Sequence, residues 1–497
     1  MITLLLSCIH GPPAGPTPLE ELALIDEVVL QKTEGSQLIY LQATVQAGSA
    51  YDPVGQEGIA WLTAQSMRQG GAGELAPDEV DALLYELAAD IDVVVDKDLV
   101  SFRGKALAED AEVFVPLFTD MITRPAFDEA AVERLRDQAV DSLTISMLES
   151  DEALGHTAFD VWINEGHPYG HPVQGRAGVL PLLDRDAVMA FHEATYVRSG
   201  TTLGLAGAVT ENEAVRFAAD FAALSADRAP EAGPKPRQDV EGRHLLVIEK
   251  QTASMGVHFG HPIEVDRSHE DFPELFLAMV AFGEHRQSHG RLYNAIRTDR
   301  GLNYGDYAYI EHYVQRGWSS AQEQGTVRLQ PQFSVWLRPL AADAGPWAVK
   351  MALSMTEDLV EQGLSAEEFE EIQAYLLMKS RIWAQDPGTR LAYAVEAEAL
   401  DLPDMLVDLP PEIEALTVEE VNAALQRHIR PDDLRIVVVA GDGEAVVRAL
   451  TEDSPTPLVY SEDRQPDPEQ ATIDEEVAAM SVGLSEFTVV PAEGIFR

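Results

Sequence analysis

Between residues 24 and 54 apolar and polar positions alternate, and Gly and Ser interrupt the runs "LALIDEVVLQK" and "SQLIYLQATVQ". A period of two broken by turn residues predicts strands. From residue 58 the period lengthens. "GIAWLTAQSM" and "APDEVDALLYELAAD" place apolar residues three and four apart, so both predict amphipathic helices, the second opened by Pro77-Asp78. "IDVVVDKDLVSFRGKAL" returns to strand, and residues 111–123 and 128–146 return to helix. Phe114, Leu117, Phe118 and Met121 share one helical face, which reads as core. Strands and helices come without regular βαβ alternation, so the predicted class is α+β. No run of 18 apolar residues occurs, so no segment reads as a membrane-spanning helix.

The pattern then repeats. "LLDRDAVMAFHEATYVRSGTTLGLAG" (182–207) is similar to "ALTVEEVNAALQRHIRPDDLRIVVVAG" (415–441). Each has a helix start, a helix, a short turn and a strand ending in Gly. Leu183 aligns with Leu416, Val188 with Val421 and Tyr196 with Ile429, each 233 residues apart. "PAFDEAAVERLRDQ" aligns likewise with "QGLSAEEFEEIQAY", setting Phe127 opposite Leu364. An internal repeat of this length means two homologous α+β domains. They are expected at residues 24–226 and 244–450, joined by a Pro-rich, mixed-charge linker at 227–243. Residues 451–497 are acidic and Pro-rich and are expected to form a poorly ordered tail.

Composition changes the picture in two places. With 35 basic and 84 acidic residues the net charge is -49, which excludes nucleic acid and anionic membrane surfaces as partners by repulsion. A heavily solvated surface and a cationic substrate drawn in by the field both fit that charge. The single cysteine, Cys8, excludes an internal disulfide. Leu5-Leu6-Ser7-Cys8 resembles a bacterial lipobox, in which the cysteine is lipidated, and the Gly/Pro-rich stretch up to residue 23 would serve as a tether. The apolar segment before Cys8 is short and lacks a basic flank. Two localisations therefore stay open: a periplasmic or outer-membrane lipoprotein anchored through Cys8, and a cytoplasmic protein.

"GSAYDPVGQEGIAWLTAQSM", "RPAFDEAAVERLRDQAVDSL", "GHPYGHPVQG" and "GRLYNAIRTDRGLNYGDYAY" follow one another along the chain. In that order, with the duplication, the chain resembles the insulinase/pitrilysin-like zinc peptidases, which include the mitochondrial processing peptidases. The resemblance covers about residues 24–445. It implies two homologous α/β-sandwich domains and an inverted zinc motif, H-x-x-E-H, on the helix that here reads "GIAWLTAQSM". The motif's two His positions hold Trp61 and Gln65, its Glu position holds Ala64, and the distal Glu position, 77 residues after Gln65, holds Ser142. Hydrolytic zinc needs three protein ligands and an open site for water. Neither Trp61 nor Ala64 offers a ligand atom, and Gln65 and neutral Ser142 are poor ones. No metal is expected on this chain. The family's second-half pair, an Arg and a Tyr seven residues apart that hold substrate and stabilise the oxyanion, is matched by Arg297 and Tyr304 in "IRTDRGLNY". The resemblance thus implies a non-catalytic subunit of a heterodimeric peptidase. A zinc-bearing homologous partner would supply metal and base, and this chain would supply Arg297 and Tyr304 to a peptide substrate. The alternative is a structural or peptide-binding pseudoenzyme.

Other candidates carry less. His285 and His289 in "GEHRQSHGR" are spaced i, i+4 beside Glu284, a spacing that can hold a metal on a helix, but no third ligand is evident and exposed polar histidines are the expectation. His167 and His171 flank a Pro/Gly turn in "GHPYGHP", where a loop role is expected. No phosphate-binding Gly-rich loop and no nucleophile elbow occur.

Overall fold

The computed structural model describes residues 22–25, 28–226, 237–314, 322–452, 454–460 and 465–497. Cys8, its tether and most of the expected linker lie outside the described residues.

Two six-stranded sheets carry the fold. The first contains β1 (Leu22–Ile25), β2 (Val28–Lys32), β3 (Leu38–Val45), β4 (Asp90–Val95), β5 (Val100–Leu107) and β6 (Thr201–Gly207) in the order β1-β2-β6-β3-β5-β4. The second contains β7 (Arg243–Glu249), β8 (Ser254–Pro262), β9 (Asp306–Tyr309), β10 (Gln332–Ala341), β11 (Leu434–Ala440) and β12 (Leu484–Pro491) in the order β12-β7-β11-β8-β10-β9. Pairing senses correspond: β2 runs parallel to β6 as β7 does to β11, and the β3 and β8 pairs are antiparallel. The difference is at one edge, where β1 joins antiparallel and β12 joins parallel.

The repeat seen in the sequence is a repeat of local structure. Asp184 caps the helix Arg185–Thr195 by accepting from Ala187 N, and Thr417 caps Val418–His428 by accepting from Glu420 N. Each helix runs into an inner strand, β6 or β11. Val188 and Val421 are both fully buried, as are Tyr196 and Ile429 to within 2 %. Phe127 and Leu364, each 3 % exposed, anchor the starts of the helices Glu129–Asp141 and Ala366–Trp383. Phe114, Leu117, Phe118 and Met121 lie in the core of the first half.

One expectation is overturned. The described residues of the expected tail are ordered elements, for Pro468–Ala479 is a helix and β12 completes the second sheet. Val477, Ala478 and Val482 enter the second core, and Ala492 and Phe496 reach the first. Acidic composition masks these apolar anchors.

The halves also exchange helices. Asp151–Ile163, from the first half, packs on β8 and β11 of the second sheet, and Pro387–Leu400, from the second half, packs on β6 and β3 of the first. Small residues let these elements approach: a Cβ at Gly204 of β6 would lie 2.5 Å from Val395 Cγ2, and one at Gly155 would lie 3.3 Å from Val439 Cγ2.

Candidate functional site

The helix Ile59–Gln69 carries Trp61, Ala64 and Gln65, three of the four positions at which the resemblance sets the family's zinc motif. Asp52 holds its start, accepting from Gly58 N at 2.6 Å and Ala60 N at 2.9 Å. Ala64 is fully buried in the first core, and Trp61 and Gln65 are half-buried. Gln65 accepts from Gln69 Nε2 at 3.2 Å, and Gln69 in turn accepts from Arg134 at 3.3 Å. Ser142 lies where the helix Glu129–Asp141 widens into a π turn, Ser142–Ser146. The local set is indole, methyl, carboxamide and hydroxyl with a guanidinium nearby. It does not fit zinc.

Trp61 and Ser142 nevertheless line one cavity of about 570 Å³ between the halves, together with His156, His312, Tyr313 and Trp336. The same lining includes Asp96, Asp160 and Arg328, members of a buried ionic cluster. Arg328 donates Nε to Asp96 at 2.6 Å and Nη1 to Asp160, and Lys97 Nζ is 3.7 Å from Asp160. Burial lowers the Lys97 ammonium to about 8, whereas the Arg328 and Lys97 charges hold the Asp160 carboxyl below its ordinary range against the opposing effect of burial. Asp98 accepts from Tyr169 Oη and from Leu329 N at 3.1 Å, and burial raises its carboxyl to about 6. Sequence reasoning missed this cluster. Its signal, "VDKD" after a strand (95–98), is indistinguishable from a solvated charge run.

Arg297 lies on the π turn Tyr293–Thr298 and places its guanidinium over the Tyr304 ring, 5.3 Å from the centroid. Tyr304 is 80 % exposed, so it is not packed into a strand. It lines a second cavity, of about 420 Å³, with Glu152, Lys250 and Arg338. Ser150 and Glu152 line both cavities, so Tyr304 on one side and Trp61 and Ser142 on the other open onto adjoining space.

The remaining histidines do not make a metal site together. The helix Phe272–Gly283 ends before His285, so His285 and His289 do not share a helical face. His285 is buried, not exposed as expected: its Nδ1 is 2.6 Å from Tyr309 Oη and its ring stacks on Tyr313. His289 Nε2 is 3.3 Å from Glu284. His171 Nε2 faces Asp52 at 3.9 Å, and His167 Nδ1 accepts from Tyr169 N at 3.1 Å. Among the described residues, His269, Asp271 and His428 bring ligand atoms within 4.8 Å of one another. Asp271 there already accepts from His428 Nε2 at 2.6 Å and from Arg427 Nε at 3.0 Å, and its backbone N donates to His269 Nδ1. A fixed guanidinium on the same carboxylate makes this a satisfied ion-pair network.

Comparison with known proteins gives one consistent result. Residues 27–160 match the model of the insulinase family, peptidase family M16, and residues 183–376 match that of the peptidase M16 inactive domain. The uncharacterized zinc protease YmxG of Bacillus subtilis is 18 % identical over 84 % of this chain and 96 % of its own length. An uncharacterized zinc protease of Mycobacterium bovis is 23 % identical over 67 % of this chain and 72 % of its own. A crystal structure of a peptidase M16 inactive domain from Pseudomonas fluorescens superposes with a TM-score of 0.73 at 20 % identity, covering 83 % of this chain and 94 % of that one. A protease from Helicobacter pylori superposes with a TM-score of 0.70 at 14 % identity, covering 83 % and 96 %. At these identities the superpositions speak to the fold.

Proposed function

This chain belongs to the insulinase family of peptidases, and from that premise we propose that it is a non-catalytic subunit of a heterodimeric metallopeptidase. A zinc-bearing homologous partner supplies the metal and the general base, and this chain supplies Arg297 and Tyr304 to the peptide. The observation that carries the reading is an exposed Tyr304, with the Arg297 guanidinium over its ring, lining a cavity that adjoins the one lined by Trp61 and Ser142, neither of which is a zinc ligand. Guanidinium and phenol are donors suited to a peptide carbonyl as it gains negative charge. The test is to mix the chain with a homologue carrying an intact H-x-x-E-H motif and assay cleavage of a quenched fluorescent peptide. Activity should arise only in the mixture. Tyr304→Phe should lower kcat about 10²–10³-fold with KM little changed, as loss of an oxyanion donor does. Unaltered cleavage by an assembled Tyr304→Phe complex would make the pair structural. A partner-free peptide-binding role is the second reading, favoured by the cavity of about 570 Å³ that this chain walls by itself. Anchoring through Cys8 is a separate proposal, tested by whether Cys8→Ala moves the chain from the membrane fraction to the soluble one.

A further inference from the structure

The larger cavity joins aromatic walls to charges that are already matched. Its lining includes Trp61, Trp336, Tyr313, His156 and His312. The His156 ring lies 5.3 Å from that of His312 and 5.7 Å from that of Trp336, so these three rings are contiguous. About 570 Å³ is within the range of sites that take small ligands or single side chains.

The charged residues of the lining are Asp96, Asp160, Arg328 and Glu152. Arg328 pairs with both aspartates, Asp160 also faces Lys97, and Glu152 pairs with Arg338 at 3.0 Å. Burial holds the His156 and His312 imidazoles below their ordinary range, so both are neutral at pH 7. A charged guest would therefore give up its hydration without finding a free counter-charge, and that cost is not recovered. An uncharged aromatic guest gains apolar burial and ring contacts instead.

We propose that this cavity is a subsite for an uncharged aromatic residue of an extended peptide, with Trp61, at the first degenerate zinc position, among the aromatic residues of its lining. The inference rests on the peptide-binding element of the proposed function and adds the class of residue bound. It needs no partner subunit, so the isolated chain tests it.

The probes are three acetylated, amidated pentapeptides, Gly-Gly-X-Gly-Gly with X as Phe, Lys or Glu, titrated at pH 7.5 by calorimetry. The Phe peptide should bind at least about tenfold more tightly than the other two, a difference of about 1.4 kcal/mol. Trp61→Ala should weaken the Phe peptide about tenfold and Trp61→Phe about twofold or less. Melting curves on both variants establish that the fold is kept. Equal binding of all three peptides, or a Trp61→Ala variant that binds the Phe peptide normally, would overturn the subsite while leaving peptide binding intact. Absence of binding by every peptide up to about 5 mM would overturn the subsite and the peptide-binding reading together.

Discussion

At the scale of single residues, the exposed Tyr304 and the buried Arg328 differ in how much stability they carry. Tyr304 is 80 % exposed, so Tyr304→Phe should move the unfolding free energy by no more than about 0.5 kcal/mol, whatever it does to activity. Arg328 is 4 % exposed and is bound to Asp96 and Asp160, both themselves buried. Arg328→Met strips a partner from two buried carboxylates and should cost about 3–5 kcal/mol, read from urea unfolding at pH 7.5. A loss below about 1 kcal/mol would mean that Lys97 and solvent carry the aspartates unaided. Legibility divides along the same line. Trp61, Ala64, Gln65 and Ser142 could be read from sequence because a motif fixes where chemistry should be. Arg328 and Asp96 are 232 residues apart with no motif between them, so only the folded chain reveals the pair.

At the scale of elements, the repeat was legible because caps and inward-facing positions recur with the same spacing, as Asp184 and Thr417 do. The C-terminal segment was not, because net charge dominates its composition while a few apolar residues decide its place. β12 adds parallel to β7, and beyond it Ala177 N donates to Phe496 O at 2.9 Å. Phe496 is 3 % exposed and packs with the first half's core. Phe496→Ala should therefore cost about 3–5 kcal/mol, like other large-to-small core changes, although it is the penultimate residue. A free energy of unfolding unchanged by that substitution would show that the chain end is not a structural staple. The exchanged helices were illegible for a different reason. Asp151–Ile163 buries Leu154, Ala158 and Phe159 with Asp151 and Asp160, so no single apolar stripe announces which sheet it covers.

At the scale of the molecule, helix exchange makes the halves depend on each other, and buried imidazoles make that dependence sensitive to acid. His156 comes from the first half, and His258 and His312 come from the second; the His156 ring is 5.6 Å from His258 and 5.3 Å from His312. Among the described residues neither ring nitrogen of His258 has a hydrogen-bond partner, and His258 is 2 % exposed. The charges acting on His156 and His312 are Asp96, Asp160, Arg328 and Lys97, the aspartates being paired with the two cations, and the neighbour acting on His258 is His156. Burial lowers all three imidazoles relative to the unfolded chain, where they take up protons near pH 6.5. Below that pH the unfolded chain binds more protons than the folded one. Their contribution is thus complete above about pH 6.5 and is lost as pH falls, by up to about 1.4 kcal/mol per pH unit for each ring. Buried Asp98, raised to about 6, works in the opposite sense, so total stability alone does not isolate the imidazoles. The difference between wild type and His258→Phe does. Between pH 7 and pH 5 the wild type should lose about 1–2 kcal/mol more than the variant, measured by urea unfolding at each pH. Because the cluster spans both halves, the loss should lower one shared transition in calorimetry. Two separating transitions, or equal acid losses in the two proteins, would show that the halves fold independently or that His258 is already protonated in the folded chain.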